Sequence, residues 1–308
     1  MSRLPLPAPG SFLLTAGAYG TELQKRGLPL GSPSDLWNLK RPDEVVMVAR
    51  AFVEAGSQVI LTNTFQANAV ALGALGAAGQ MVAINRRGAE LARLAAGGAW
   101  VFGSMGPIGA VGPGVPLSTT KRGEVFLAQA EALAEGGVDA LILETCGDLE
   151  EACVAVRAAR RVGLPIVASF FLDPRDVGDS GPGKDKRLAP ELAGRVMAQE
   201  GAEAVGANCG AGPAGFAGLC RRLKRSSGLP VWIKPAVGLP TIVDGRAVYA
   251  TTPDAFATFL PEVLEAGASF VGGCCGAGPE FIRALARRRA AGPGVDRGES
   301  TARTASGD

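Results

Sequence analysis

The chain has 308 residues, 47% of them apolar and 19% charged, with a formal net charge of +2. That balance suits a globular protein with a large buried core and excludes a low-complexity chain. It carries no basic face interleaved with aromatics, so a nucleic-acid footprint is not expected. No apolar run reaches the roughly 18 residues of a membrane span.

Taken in chain order, the opening MSRLPLPAPGSFLL has one Arg and several prolines. It makes a poor signal peptide, and a cytoplasmic protein is expected. Short β-rich runs then alternate with longer amphipathic stretches. A strand at 12–16 precedes a helix at 43–56, which has an acidic first turn and closes on Gly56. The pattern repeats as strand 58–63 and helix 80–98, then 99–104 and 122–137, then 139–144 and 148–163. It continues as 165–171 and 190–201, then 204–208 and 213–228, then 231–235 and 253–267, and finally 269–272 and 279–289. Runs such as LILE and VWIK are continuous rather than alternating, as in parallel strands covered on both faces. Eight strands alternating with eight helices predict a (β/α)8 TIM barrel, a single domain over residues 1–289. A doubly wound open sheet is the alternative, because alternation alone does not fix closure. Two segments fall outside the pattern. DPRDVGDSGPGKDK (173–186) reads as a lid or a surface insertion, and 290–308 has the composition of a disordered tail.

The chain contains no histidine. Ser-His-Asp and Cys-His catalysis and two-His zinc motifs are therefore excluded, and a transition metal must be held by Cys, carboxylate or backbone. Six cysteines without a secretion signal point to a reducing compartment, where clustered Cys bind metals or react more often than they form disulfides.

Barrel active sites lie at the C-terminal ends of the strands. The predicted ends collect Ala16-Gly17, Thr62-Asn63-Thr64, Ser104-Met105-Gly106, Glu144-Thr145-Cys146, Asn208-Cys209 and Gly273-Cys274-Cys275-Gly276. Cys209 is far from the Cys274/Cys275 pair in sequence, but a barrel brings strands six and eight within metal-binding reach. Three thiolates bind Zn²⁺ and leave one tetrahedral position open, the arrangement of a catalytic site. Gly272, Gly273 and Gly276 permit the sharp turn that lets adjacent cysteines face one ion. Cys153 and Cys220, inside helices, read as small core residues, and packing is also the favoured reading for Cys146. Glu144 either pairs with a basic side chain or receives a substrate ammonium. Lys234 either joins a salt bridge or forms a Schiff base in a lyase. The glycine-rich GSMGPIGAVGPG (103–114) lacks a phosphate-loop pattern.

With GAYGTELQKRGL (17–28), GSMGPIG (103–109), ALILETCGDLEEA (140–152), GANCGAGP (206–213), KPAVGLP (234–240) and GGCCGAGPEFI (272–282), the chain resembles the zinc-dependent homocysteine S-methyltransferases. These include betaine– and S-methylmethionine–homocysteine methyltransferases and the homocysteine domain of methionine synthase. The resemblance implies a (β/α)8 barrel and Zn²⁺ on Cys209, Cys274 and Cys275. It also implies methyl transfer to the thiol of homocysteine, forming methionine. Ala16, Gly17, Asn63, Glu144 and Asn208 are the implied substrate-binding positions, with the ammonium on Glu144 and the carboxylate on N–H groups around Gly17. The donor is either a small molecule or a methylcorrinoid protein. Two residues depart from the family pattern. Ala16 stands where Asp is usual, and Ala236 stands where Asn is usual after strand seven. They motivate an alternative reading, a zinc-binding barrel that has lost turnover and serves as a binding subunit.

Overall fold

The continuous apolar runs become strands whose residues are almost all buried. The computed structural model describes residues 4–8, 10–108, 117–172, 174, 188–243 and 246–291. Among these, the strands in chain order are β1 (Leu13–Leu14), β2 (Val59–Leu61), β3 (Trp100–Met105), β4 (Ala140–Cys146), β5 (Ile166–Phe170), β6 (Ala204–Cys209), β7 (Val231–Pro235), β8 (Thr241–Val243), β9 (Arg246–Val248) and β10 (Ala268–Val271). Strands β8 and β9 form a separate antiparallel hairpin. The other eight are parallel, in the order β1-β10-β7-β6-β5-β4-β3-β2.

The two ends of that order meet. Thr15 bridges Val59 in parallel, the Gln58 N–H donates to Leu14 O at 2.7 Å, and the Ala16 N–H donates to Val59 O at 2.9 Å. The sheet therefore closes into a (β/α)8 barrel, and the open-sheet alternative is excluded. Closure leaves no edge strand and encloses an aromatic plug. Phe102, Trp232 and Phe270, from β3, β7 and β10, are fully buried, with ring centroids 5.3–6.2 Å apart.

The helices are α1 (Tyr19–Lys25), α2 (Trp37–Lys40), α3 (Pro42–Glu54), α4 (Ala69–Gly73), α5 (Met81–Ala96), α6 (Thr119–Glu135), α7 (Leu149–Ala159), α8 (Pro190–Glu200), α9 (Phe216–Ser227), α10 (Pro253–Ala257), α11 (Leu260–Glu265) and α12 (Pro279–Ala291). Their starts follow local chemistry. Ser118 and Asp148 accept N-cap hydrogen bonds from the Lys121 and Glu151 N–H groups, and α3 opens on Pro42 with Asp43 and Glu44 in its first turn.

The expected helix at 253–267 is two helices, because Pro261 has no N–H to donate and instead occupies the first turn of α11. The hairpin β8–β9 and the short helices α1, α2 and α4 lie in stretches the alternation left unassigned. Helix α12 runs to Ala291, two residues past the expected domain boundary, and residues 292–308 lie outside the described residues. So do 109–116 and, apart from Pro174, the candidate lid at 173–186. No described helix is long and apolar enough to cross a membrane.

Candidate metal and substrate site

Cys209 is the last residue of β6 and has φ +73°, in the left-handed region. A non-glycine residue there costs roughly 1–3 kcal/mol and persists only where its surroundings enforce it. The enforcement comes from the end of β7. The Ala236 N–H donates to Cys209 O at 2.9 Å, the Cys274 N–H donates to Pro235 O at 2.8 Å, and the Val237 N–H donates to Cys275 O at 3.1 Å. One short segment after β7 thus braces both cysteine-bearing segments.

After β10 the chain turns at once, with the Ala277 N–H on Cys274 O at 2.9 Å and Gly276 at φ +81°. A side chain at Gly276 would be strained by that φ, and its Cβ would come within 2.5 Å of Val237. The Gly276 N–H donates to Thr21 Oγ1 at 3.2 Å, which ties the turn to α1.

These constraints bring three sulfurs together. Cys209 Sγ is 3.7 Å from Cys275 Sγ, Cys274 Sγ is 4.0 Å from Cys275 Sγ, and all three lie within 4.8 Å of one another. Zn–S bonds of about 2.3 Å at tetrahedral angles require sulfurs about 3.8 Å apart. The residues present therefore fit a zinc ion. Hydrogen bonds from the Cys274 and Cys275 thiols pull the Cys209 thiol down to about 3, while Cys274 and Cys275, as its donors, are pushed up. Three thiols crowded this closely favour a deprotonated sulfur at once, which suits a metal that demands thiolate.

The other cysteines stay apart from this cluster. Cys146 is buried at the end of β4, and burial raises its thiol. Cys220, on α9, donates to Val263 O and Ala266 O. Cys153 is half-buried on α7 and packs against the core.

A polar layer separates the aromatic plug from the sulfurs. Ser104 Oγ donates to Glu144 Oε1 at 2.5 Å, and Lys234 Nζ lies 3.7 Å from Glu144 Oε2. Glu144 is 8% exposed and Lys234 is 2% exposed. Burial raises the Glu144 carboxyl, and the Lys234 charge and the Ser104 hydroxyl oppose that rise. Of the two roles open to Lys234, the structure displays the ion pair.

Asn208 is fully buried beside this layer. Its Oδ1 accepts from Ser169 Oγ at 2.6 Å and from the Thr145 N–H at 3.0 Å, while its Nδ2 donates to Thr145 Oγ1 at 2.8 Å and to Cys274 Sγ at 3.8 Å. Thr145, at φ +59°, is the other described non-glycine residue in the left-handed region. Asn208 therefore ties the end of β4 to a metal-site sulfur.

The remaining expected substrate positions are placed as follows. Ala16 is buried, and its N–H is engaged in barrel closure. Gly17 packs so closely on the turn after Cys275 that a Cβ there would lie 1.8 Å from Ala277 O. Asn63 is buried, with Nδ2 on Ser34 O at 2.8 Å and on Asn38 Oδ1 at 3.1 Å, so its amide holds the 34–38 segment.

Sequence reasoning missed Tyr249, which follows the hairpin. Its ring lies against the turn after Cys275, where a Cβ added at Gly276 would come within 2.8 Å of it, and burial raises its phenol. Nothing in the periodicity signals it, because it lies outside the β/α repeat. Ala236 is buried and offers no ligating side-chain atom.

The sequence model of the homocysteine S-methyltransferase family matches residues 13–289. A methionine synthase of Mycobacterium tuberculosis is 33% identical over 88% of the chain, which spans 24% of that relative's length. The chain thus corresponds to about a quarter of the methionine synthases it matches. S-methylmethionine–homocysteine S-methyltransferase BHMT2 of Mus musculus is 28% identical over 91% of the chain and 79% of its own. Among solved structures, the metallated form of the homocysteine methyltransferase MmuM from Escherichia coli superposes with a TM-score of 0.75. It is 25% identical and covers 90% of this chain and 96% of its own.

Proposed function

The chain belongs to the homocysteine S-methyltransferase family, and from that premise we propose that it transfers a methyl group from an activated donor to the thiol of homocysteine, forming methionine. The observation that carries this reading is the sulfur triad at the barrel mouth, spaced for one tetrahedral ion. Cys209, Cys274 and Cys275 would hold Zn²⁺. Bound there, zinc supplies Lewis acidity that lets a thiol enter as thiolate near neutral pH.

The chain's own residues do the rest. Glu144, held by Ser104, presents a carboxylate to the substrate ammonium. Asn208 and the segment after β7 hold the sulfurs in place. Without histidine, no imidazole serves as general base, and the acidity that an ion on the three cysteines would lend an entering thiol would take that role. The donor is a small molecule or a methylcorrinoid protein, the latter motivated by the similarity to methionine synthase.

The test is a donor panel of betaine, S-methylmethionine, S-adenosylmethionine and a methylcorrinoid, each supplied with homocysteine to zinc-loaded protein. Methionine from one donor, lost in Cys275→Ser, is expected. Zinc binding with no methionine from any donor overturns the reading in favour of a barrel without turnover.

A further inference from the structure

Of the three clustered cysteines, Cys275 is the least covered. Cys209 and Cys274 are half-buried, whereas Cys275 is exposed. Gly276, the next residue, has no side chain with which to pack its own turn. A tetrahedral ion nevertheless needs the Cys275 sulfur held close to the other two. The turn must therefore be held from outside.

Two side chains close on it, and they stand at the two feet of the hairpin. Val237 lies in the segment that leads into β8, and Tyr249 directly follows β9. A Cβ built on Gly276 would lie 2.5 Å from the Val237 side chain and 2.8 Å from the Tyr249 ring. Val237 is buried in the core, and Tyr249 packs against that core from a half-buried position. Thr21, Tyr249 and Gly276 also line a cleft of about 390 Å³ between α1 and β9. The turn thus borders open space beside the ring. The hydrogen bond from the Gly276 N–H to Thr21 Oγ1, at 3.2 Å, is at the long end of the normal range. A hairpin of two three-residue strands is marginal in water on its own, so its feet must anchor it. Lying outside the β/α repeat, it delivers an aromatic ring to the turn that bears Cys275.

We propose that Tyr249 is a positioning residue for the metal site. Its ring covers the outer side of the Gly276 turn and keeps the Cys275 sulfur within bonding range of an ion held by Cys209 and Cys274. Without the ring, the turn is free to swing toward the cleft and carry Cys275 off the ion. The packing surface of the ring does this, and the phenol oxygen is not needed. The inference rests on the three-cysteine metal reading and adds a residue outside the barrel repeat on which the third ligand depends.

Cobalt(II) titration of the full chain tests it without homocysteine or a methyl donor. Thiolate-to-cobalt charge-transfer absorption grows with each cobalt–sulfur bond, so it counts the sulfurs on the ion, and Cys275→Ser supplies the two-sulfur reference. Tyr249→Ala should lower the absorption per bound cobalt by roughly one third, as three sulfurs become two. It should also weaken zinc about 10- to 100-fold in competition with a chromogenic chelator, the usual loss when a support of metal ligands is removed. Tyr249→Phe keeps the ring and should restore both to wild-type values. A role confined to general stability would lower the metal-free Tm and leave the spectrum of the loaded protein unchanged. Wild-type absorption and zinc affinity in Tyr249→Ala, or an equal loss in Tyr249→Phe, overturns the proposal. If Tyr249→Ala fails to fold, Tyr249→Leu keeps apolar bulk without the ring. Its absorption should still fall, and a wild-type spectrum there overturns the proposal as well. A three-sulfur spectrum that depends on Tyr249, with no methionine from any donor, would sink methyl transfer and leave the positioning role standing.

Discussion

Replacing Asn208 with Ala should damage both the fold and the metal site, and the structure sets the scale. The substitution removes acceptors from Ser169 Oγ and the Thr145 N–H and donors from Thr145 Oγ1 and Cys274 Sγ. Asn208 and Ser169 are fully buried, so water does not replace these partners freely. Two or three orphaned groups at about 1–3 kcal/mol each give a loss of about 3–5 kcal/mol. In a domain this size each kcal/mol lowers Tm by about 2–4 °C, so a drop of roughly 6 °C or more is expected. Thr145 also loses the contacts that hold its φ of +59°. Cys274 loses its N–H donor, and losses of this kind weaken metal affinity about 10- to 100-fold. Scanning fluorimetry and competition with a chromogenic zinc chelator measure the two effects. The control Asn208→Asp keeps the acceptor but not the donor to sulfur. It should lose less stability relative to its loss of zinc affinity. A Tm within about 1 °C of wild type with unchanged zinc affinity would refute the bracing role.

Gly17→Ala places a methyl group against Ala277 O, a contact backbone cannot yield easily, and should cost about 3 kcal/mol or more in a denaturant melt. Asp35 is 2% exposed, and burial lifts its carboxyl from 3.8 to about 6. Its folded value is the higher one, so the folded state holds the proton more tightly. Stability is therefore full at low pH and falls as pH rises from about 4 through 6, by up to about 3 kcal/mol. Urea melts at pH 5 and pH 7.5 should show this fall, and Asp35→Asn, which keeps the acceptor for the Gln66 N–H, should flatten it. Stripping zinc with a chelator should lower Tm in wild type and have no further effect in Cys209→Ser, since an ion bound only by the folded state stabilises it by mass action.

Much of this molecule was legible along the chain because its signals are local. Continuous runs such as LILE, helical spacing between them and glycine at turns specify alternating strands and helices. The absence of histidine and the strand-end cysteines narrow the chemistry to a thiolate site. Pro261 was equally visible, and its missing N–H accounts for the one expected helix that divides in two. The hairpin β8–β9 and Tyr249 were not legible, because they interrupt the repeat rather than continue it. Closure belongs to the tertiary structure, since it depends on Thr15 meeting Val59 across the whole length of the sheet. So do the left-handed turn at Cys209, the 3.7 Å and 4.0 Å sulfur spacings and the meeting of Lys234 with Glu144. Each joins residues from different strands, and their separation is set by barrel register and backbone bracing. Sequence determines which side chains stand at the strand ends, while packing around the closed barrel decides which of them touch.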